Sequence, residues 1–503
     1  MDTRKSLYLG YLKKYYGYDQ FKKHQFEIID RVVHEKKDVI AVLSTGYGKS
    51  ICYQLPALIT NKITIVITPL ISLMKDQVDE LKDKNIKATF LGSSQTDDTI
   101  IDKIINNEFN IIYVSPEYIV NKGVALLKQI KKNIILLSID EAHCIFNYGS
   151  DFRPSYRLIH MLKNVLKNVP MLATTATATK VIQKYICQNL KMSKPLIVHG
   201  NLFRPNLFIE IKKKKTNYIK QILDKLNDGE STIIYCKTRK ETEKISNELK
   251  KYNKKPTIYH AGMSLIERNK IQHKFINNEV DIIVATIAFG MGINKSNIRT
   301  IIHYGVPDDL NNYYQEIGRA GRDDKNSFCY LLYTSNDFKI IRYFLSKNTD
   351  ENQTQYKSQM ISDIDNFLHT KICRHKFIVQ YFSEQKSDLK CINKCDNCSN
   401  NIDSNVIVKS FNIDDYKSQI KKIMMLTNIV EPENLTKKII FDILIGNHNI
   451  SNILKIPGYF SILKNIEESY VNNILQYLLD KKIVKSTTDF KITKEGQKFL
   501  RKI

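Results

Sequence analysis

At 503 residues the chain is too long for one compact core and should divide into about three or four domains. An apolar share of 43% is ordinary for globular protein, and no stretch reaches the roughly 18 apolar residues needed to cross a bilayer, which excludes a spanning helix. Lysine plus arginine outnumber aspartate plus glutamate by 77 to 52, a formal charge of +25 that either attracts phosphate backbones or reflects a lysine-rich composition.

The start, Met1 to Lys14, mixes charge with tyrosine and has no signal-peptide apolar core. An intracellular location, nucleus or cytoplasm, is expected, with the cysteines mostly reduced. From about residue 37 to 200, β-rich runs alternate with amphipathic helical stretches. The runs are Val39–Leu43, Ile63–Thr68, Ile111–Val114, Ile134–Ile139 and Met171–Thr174. Apolar runs this continuous suit parallel strands covered on both faces. A second series follows the basic stretch Lys212–Lys215: Thr232–Cys236, Thr257–Tyr259, Asp281–Thr286, Thr300–Tyr304 and Phe328–Tyr333. Two successive α/β domains are therefore predicted, joined near Gly200–Lys215. Beyond about residue 340 a polar helical stretch leads to a cysteine cluster. Helices are then predicted at Tyr416–Thr427, Leu435–Ile445 and Val471–Leu479, with a hairpin pairing Ile483–Lys485 and Phe490–Thr493. Helices followed by a hairpin fit a winged helix. The expected domains are residues 1–205, 206–340, 341–405 and 406–503.

Val39–Leu43 runs straight into Ser44-Thr45-Gly46-Tyr47-Gly48-Lys49-Ser50 and then a helical stretch. Strand, glycine loop, Lys-Ser and helix form a phosphate cradle. Thr45, Gly46 and Gly48 would present backbone N–H groups, Lys49 would reach the β- and γ-phosphates, and the Ser50 hydroxyl would hold magnesium. The strict pattern of such loops fails at its first position, Leu43, and a glycine turn alone would leave a chance match open. The second half is Asp140-Glu141-Ala142-His143, at the end of Ile134–Ile139. Asp140 suits the metal, and Glu141 suits activation of the attacking water. Together the motifs point to hydrolysis of a nucleotide.

Cys373, Cys391, Cys395 and Cys398 are spaced C-x17-C-x3-C-x2-C. Four thiolates in a short polar segment read as a closed, tetrahedral structural zinc. Two disulfides are the alternative, disfavoured by a reducing compartment. The other five cysteines (Cys52, Cys144, Cys187, Cys236, Cys329) lie singly and read as packing residues.

The acidic box continues through Cys144-Ile145-Phe146-Asn147-Tyr148-Gly149-Ser150-Asp151-Phe152-Arg153-Pro154, which resembles the aromatic-rich loop of RecQ helicases. Further segments resemble that family's motifs in order. They are Tyr16-Gly17-Tyr18 with Phe21 and Gln25, Thr68-Pro69-Leu70-Ile71-Ser72, Ser115-Pro116-Glu117, Ala173-Thr174-Thr175-Ala176-Thr177, Tyr259-His260-Ala261-Gly262, Phe289-Gly290-Met291-Gly292-Ile293 and Gln315-Glu316-Ile317-Gly318-Arg319-Ala320-Gly321-Arg322. Cys373-Arg374 and Cys395-Asp396-Asn397-Cys398 resemble its zinc region, so the likeness runs clearly from about residue 7 to 400.

The resemblance implies two tandem RecA-like parallel-sheet lobes, a helical zinc-binding region and a winged helix. It implies an ATP-dependent helicase moving 3′ to 5′ on single-stranded DNA, with forked or tailed duplex as substrate and with ATP, magnesium and zinc as cofactors. Tyr18 and Lys22 would flank adenine and Gln25 would pair with its edge. Arg319 and Arg322 would reach the γ-phosphate when the cleft between the lobes closes. Phe146, Tyr148 and Phe152, beside Arg153, would grip the strand by stacking, at about 1–3 kcal/mol per base. Phe490 would be a wedge or a core residue. The extra C-terminal strand-binding module of many relatives is expected to be absent. The family usually has tryptophan at Tyr148, histidine at Ser150 and arginine at Lys22; tyrosine keeps a stacking face, and lysine keeps charge without the planar guanidinium. Two rival readings stay open: an RNA helicase, and a nucleic-acid remodeller or annealer that barely hydrolyses ATP.

Overall fold

A computed structural model describes residues 2–69, 71–147, 155–290, 293, 295–338, 351–383, 389, 391–399, 417–429, 436–446, 463, 471, 474–475, 477–479, 481–486 and 491–500. The expectations placed on Tyr148, Phe152, Arg153 and Phe490 lie outside the described residues. The chain divides into two compact units: residues 1–305, 311–333 and 375–400, and residues 306–310, 334–374 and 401–503.

The first unit is built on two parallel sheets. The first contains β1 (Val39–Val42), β2 (Ile63–Ile67), β3 (Ala88–Leu91), β4 (Ile111–Val114), β5 (Ile134–Ile139), β6 (Met171–Thr175) and β7 (Leu196–His199), in the order β3-β4-β2-β5-β6-β1-β7. The second contains β8 (Leu207–Lys213), β9 (Ser231–Cys236), β10 (Pro256–Tyr259), β11 (Ile282–Ala285), β12 (Ile298–Tyr304) and β13 (Ser327–Tyr333), in the order β10-β11-β9-β12-β13-β8. Two successive α/β lobes with parallel sheets are what the continuous apolar runs predict. Every residue of β1, β2, β5 and β9 is buried, as helices on both faces of a parallel sheet require. In the first lobe α1 (Asp2–Tyr16), α2 (Gln25–Val33) and α3 (Lys49–Thr60) contribute Leu12, Ile28, Ile29, Tyr53 and Leu55 to that core.

Three strands were not anticipated: β3, β7 and β8. The stretch taken as a basic connector is in part strand, because Lys212 and Lys213 end β8 with both side chains in solvent. Of the singly placed cysteines, Cys52, Cys144, Cys236 and Cys329 are buried as expected, whereas Cys187 is half-buried.

The second unit has its own core. Helices Lys417–Ile429 and Lys437–Ile445 begin within two residues of the predicted positions. Thr436 caps the second helix by accepting from Ile439 N at 3.3 Å, and Gly446 ends it at φ +80°. Ile420, Ile423, Ile440, Ile443, Leu475, Leu478 and Val484 form one apolar cluster. Val484 and Ile492 make an antiparallel bridge, flanked by Lys485 N donating to Lys491 O at 2.8 Å. That bridge falls inside the predicted hairpin.

Candidate active site

In open α/β sheets ligands gather at the carboxyl ends of strands. Here β5, β6 and β1 are neighbours, and each delivers part of one site at that end. Beyond β1 the loop turns at Gly46 and Gly48, whose φ of +79° and +87° favour glycine over other residues, and α3 starts at Lys49. Beyond β5, Asp140 is buried and accepts from Thr174 Oγ1 at 2.8 Å and from Glu141 N at 3.0 Å. Glu141 takes the left-handed region at φ +48°, a conformation that marks strain in a residue with a Cβ. His143 Nδ1 lies 3.0 Å from Thr175 Oγ1 and 3.4 Å from Glu141 Oε2.

The second lobe closes the site. Gly318 packs so tightly on the loop that an added Cβ would stand 3.2 Å from Thr45 Oγ1, and an added Cβ at Gly46 would meet Arg322 Cγ at 3.6 Å. Arg322 Nη1 donates to Ile293 O at 2.8 Å, and Arg319 Nη1 donates to Gly290 O. Gln315, on the helix Leu310–Ile317, donates through Nε2 to Thr177 Oγ1 at 2.9 Å and lies 3.2 Å from His143 Nε2. Lys49, Asp140, Glu141, Arg319 and Arg322, all expected at the site, are thus brought together.

Burial, then the Glu141 charge, raise the Asp140 carboxyl, with Lys49 opposing. For Glu141 burial raises, yet Lys49, His143, Arg319 and Arg322 together hold its carboxyl below the usual value. Burial and the neighbouring Arg319 and Arg204 push Arg322 down to about 10. Glu141 Oε2, Arg319 Nε and Arg322 Nε are buried without a hydrogen-bond partner among the described residues. Orphaned donors of this kind facing one carboxylate fit a polyphosphate with its metal and water between them.

The residues expected at adenine also contact one another and the phosphate loop. Gln25 is engaged by the protein itself: Oε1 accepts from Lys22 N at 2.9 Å, and Nε2 donates to Gly48 O at 3.1 Å. Lys22 Nζ donates to Gly46 O at 3.2 Å. Tyr18 is exposed. Phe146 sits edge-to-face on Tyr185 at 4.9 Å, so part of its ring is spent on packing. Gln315, Thr174 and Thr175 join the site through these contacts, and their only signal in the sequence is the motif that holds each of them.

The Sγ atoms of Cys373, Cys391, Cys395 and Cys398 all lie within 4.8 Å of one another. A tetrahedral zinc at about 2.3 Å from each thiolate needs sulfurs about 3.8 Å apart, so the donor set fits. Nearby, buried His375 donates through Nε2 to Leu207 O at 3.0 Å and Lys394 O at 3.2 Å.

Three family profiles match: DEAD/DEAH box helicase over residues 22–185, helicase conserved C-terminal domain over 214–324, and RecQ zinc-binding over 335–399. The ATP-dependent DNA helicase RecQ of Bacillus subtilis is 34% identical over 93% of this chain and 78% of its own length. The chain belongs to the RecQ family of helicases. It is an ATP-dependent helicase with a zinc-binding region. A protein of Acanthamoeba polyphaga mimivirus, named as an ATP-dependent RNA helicase, is 38% identical over 95% of this chain and 88% of its own length. The crystal structure of a DUF1998 helicase, MrfA, bound to DNA is similar in fold, with a TM-score of 0.55 at 18% identity, covering 71% of this chain and 56% of that one. No helix among the described residues is long and apolar enough to cross a membrane.

For this RecQ-family site, Gln25→Ala should raise KM for ATP about tenfold, the equivalent of about 1.4 kcal/mol, by removing the amide that ties the phosphate loop at Gly48 to Lys22. Steady-state hydrolysis over a range of ATP concentrations reads the effect. A GTP/ATP preference unchanged in the variant would count against base recognition by Gln25.

Proposed function

We propose that the chain translocates 3′ to 5′ on single-stranded DNA and unwinds tailed or forked duplex DNA with the energy of ATP hydrolysis. The observation that carries this reading is the convergence of Lys49 from the first lobe with Arg319 and Arg322 from the second on the Glu141 carboxylate, beside Asp140, with the Gly318–Arg322 turn packed on the phosphate loop. Lys49 binds the β- and γ-phosphates, and the N–H groups of Thr45, Gly46 and Gly48 cradle them at the start of α3. Ser50 and Asp140 would hold magnesium, which supplies charge neutralisation on the phosphate oxygens. Glu141 takes the proton of the attacking water, while Arg319 and Arg322 stabilise charge that develops on the γ-phosphoryl group. Since the arginines belong to the second lobe, hydrolysis and release alter the lobe–lobe contact. Gln315 carries that change to Thr177 and His143.

The domain reading is residues 1–205 and 206–340 for the lobes, 341–405 for the zinc region and 406–503 for a winged helix that docks on duplex. The capped helix Lys437–Ile445, the apolar cluster it shares with Lys417–Ile429 and the antiparallel bridge support a winged helix. Tyr18, Lys22 and Gln25 serve adenine, and Phe146, Tyr148, Phe152 and Arg153 serve the strand. The name of the mimivirus relative gives RNA as a second reading of the substrate.

Unwinding of 3′-tailed and 5′-tailed duplexes, in DNA and RNA in parallel, tests both readings, with Lys49→Ala as control. DNA opening from the 3′ tail alone, lost in the variant, is the expected result. Opening of RNA alone would overturn the DNA assignment and leave the hydrolytic site standing. Single-strand binding without unwinding of either duplex would favour a remodeller.

A further inference from the structure

Between the two lobes runs Gly200-Asn201-Leu202-Phe203-Arg204-Pro205-Asn206, a stretch that falls between the two matched helicase regions. Its first residue is locked to the strand that carries the phosphate loop. Gly200 N donates to Val42 O at 2.8 Å, and a Cβ there would stand 2.8 Å from Leu43 Cδ2, so β7 leaves hard against the end of β1.

Four residues later the same segment grips the other half of the site. Arg204 Nη2 donates to Ala320 O at 3.0 Å and to Gly321 O at 2.7 Å, the two carbonyls that lie between Arg319 and Arg322. Arg204 Nε also donates to Asn206 Oδ1 at 3.3 Å, which orients that amide. Asn206 Nδ2 in turn donates to Gly321 O at 2.8 Å and Lys325 O at 3.0 Å. The backbone joins in: Ser327 N donates to Asn206 O at 2.8 Å, and Tyr314 OH donates to Leu202 O at 2.7 Å. Gly321 sits at φ +55°, and a Cβ on it would fall 2.5 Å from Asn206 Nδ2. The carbonyl just ahead of Arg322 thus receives two side-chain donors from a segment anchored beside the phosphate loop.

We propose that Arg204 and Asn206 are positioning residues for ATP hydrolysis, holding the Gly318–Arg322 turn so that Arg319 and Arg322 meet the γ-phosphate. The segment thus ties the end of β1, which leads into the phosphate loop, to the turn that completes the site within seven residues of chain. A further observation agrees with a role beyond stapling. Arg204 adds a third guanidinium to a corner that already holds Arg319 and Arg322, and its charge opposes that of Arg322. Such crowding is unfavourable alone and is relieved by a polyanion.

The inference rests on the assignment of Arg322 to the γ-phosphate. Its test uses Arg204→Lys, Asn206→Ala and Arg322→Ala, singly and combined, in full-length protein with saturating single-stranded DNA. Lysine keeps the charge of Arg204 but cannot reach both carbonyls with one rigid fork. The expected result is a kcat lowered about tenfold or more in Arg204→Lys and Asn206→Ala, with KM for ATP, nucleotide-free DNA affinity and melting temperature near wild type. In the Arg322→Ala background, read by single-turnover hydrolysis, the same substitutions should cost clearly less than they do alone, since only the Arg319 share of the positioning remains to be lost. Wild-type kcat in both single variants overturns the inference, as do losses that multiply in the Arg322→Ala background or that track loss of DNA binding. If Arg322→Ala itself keeps full kcat, the assignment of Arg322 fails and the positioning inference falls with it. If it loses kcat while neither Arg204→Lys nor Asn206→Ala does, only the positioning inference fails.

Discussion

Glu141→Gln should lower kcat for ATP hydrolysis by about 10²–10⁴-fold, the range lost with a positioned general base, while ATP still binds. Glutamine keeps the volume and one acceptor oxygen but cannot take a proton. The structure makes Glu141 the group to change. Its Oε2 is buried with no hydrogen-bond partner among the described residues, its backbone is held at φ +48°, and Lys49, Arg319 and Arg322 all direct positive charge at it. A carboxylate kept ionised by cations that themselves serve the phosphates can act on a water only once the nucleotide takes up part of that charge. Chemistry is thereby tied to the closed site. Binding of a fluorescent ATP analogue separates the effect from lost affinity: Kd within about threefold of wild type is expected, because binding interactions remain in place. A kcat within about fivefold of wild type would remove Glu141 from the role of base and turn attention to a water held by other groups.

The residues that carry chemistry were readable because the chemistry constrains residue type and spacing. Lys49-Ser50 after a strand and glycine loop, and Asp140-Glu141 after a fully apolar strand, each announce a function before any contact is known. The long buried strands were readable for a related reason, since β5 is apolar or small at every position and buried throughout. What escaped was set by neighbours distant in sequence. The strands β3 and β7 are short and flank their sheet, where Ala-Thr-Phe-Leu and Leu-Ile-Val-His carry too little periodicity to stand out. At β8 the final lysines point to solvent at a sheet edge, so a strand end looked like a connector. Gln315 reaches Thr177 and His143 across 138 and 172 residues of chain, a pairing no local pattern encodes. Gln25 reads from sequence as an adenine-binding amide; that its Nε2 donates to Gly48 O and its Oε1 accepts from Lys22 N is set by the fold. A side chain that both donates and accepts suits either partner, and only the fold decides which is near.

Replacing Cys395 by serine should cost more than about 3 kcal/mol of stability, since a closed structural zinc contributes directly to folding. At roughly 2–4 °C per kcal/mol for a domain of this size, the melting temperature should fall by roughly 6–12 °C. Cys395 is fully buried, and its sulfur shares a cluster with those of Cys373, Cys391 and Cys398. Its backbone has a second task at the open edge of the second sheet. Ile209 of β8 bridges Cys395 in parallel, Ile209 N donates to Lys394 O at 3.1 Å, and Ile211 N donates to Asp396 Oδ2 at 3.1 Å. His375 fastens Lys394 to Leu207 from the other side through its two carbonyl contacts. The cysteine knuckle therefore covers β8, and releasing it would bare unpaired N–H and C=O groups that invite edge-to-edge association. Metal content measured with unfolding decides the cause: one zinc per chain in wild type, little in Cys395→Ser, with aggregation rising as metal is lost. A strong chelator acting on wild type should reproduce the drop. Cys329→Ser supplies the contrast, because Cys329 is equally buried in β13 but is separated from Cys395 by Ile209 of β8 and is not one of the four clustered sulfurs; it should lose some packing stability and keep its zinc. Full zinc and an unchanged melting temperature in Cys395→Ser would mean that the cluster binds no structural metal, and sensitivity to reductant instead would restore the two-disulfide reading.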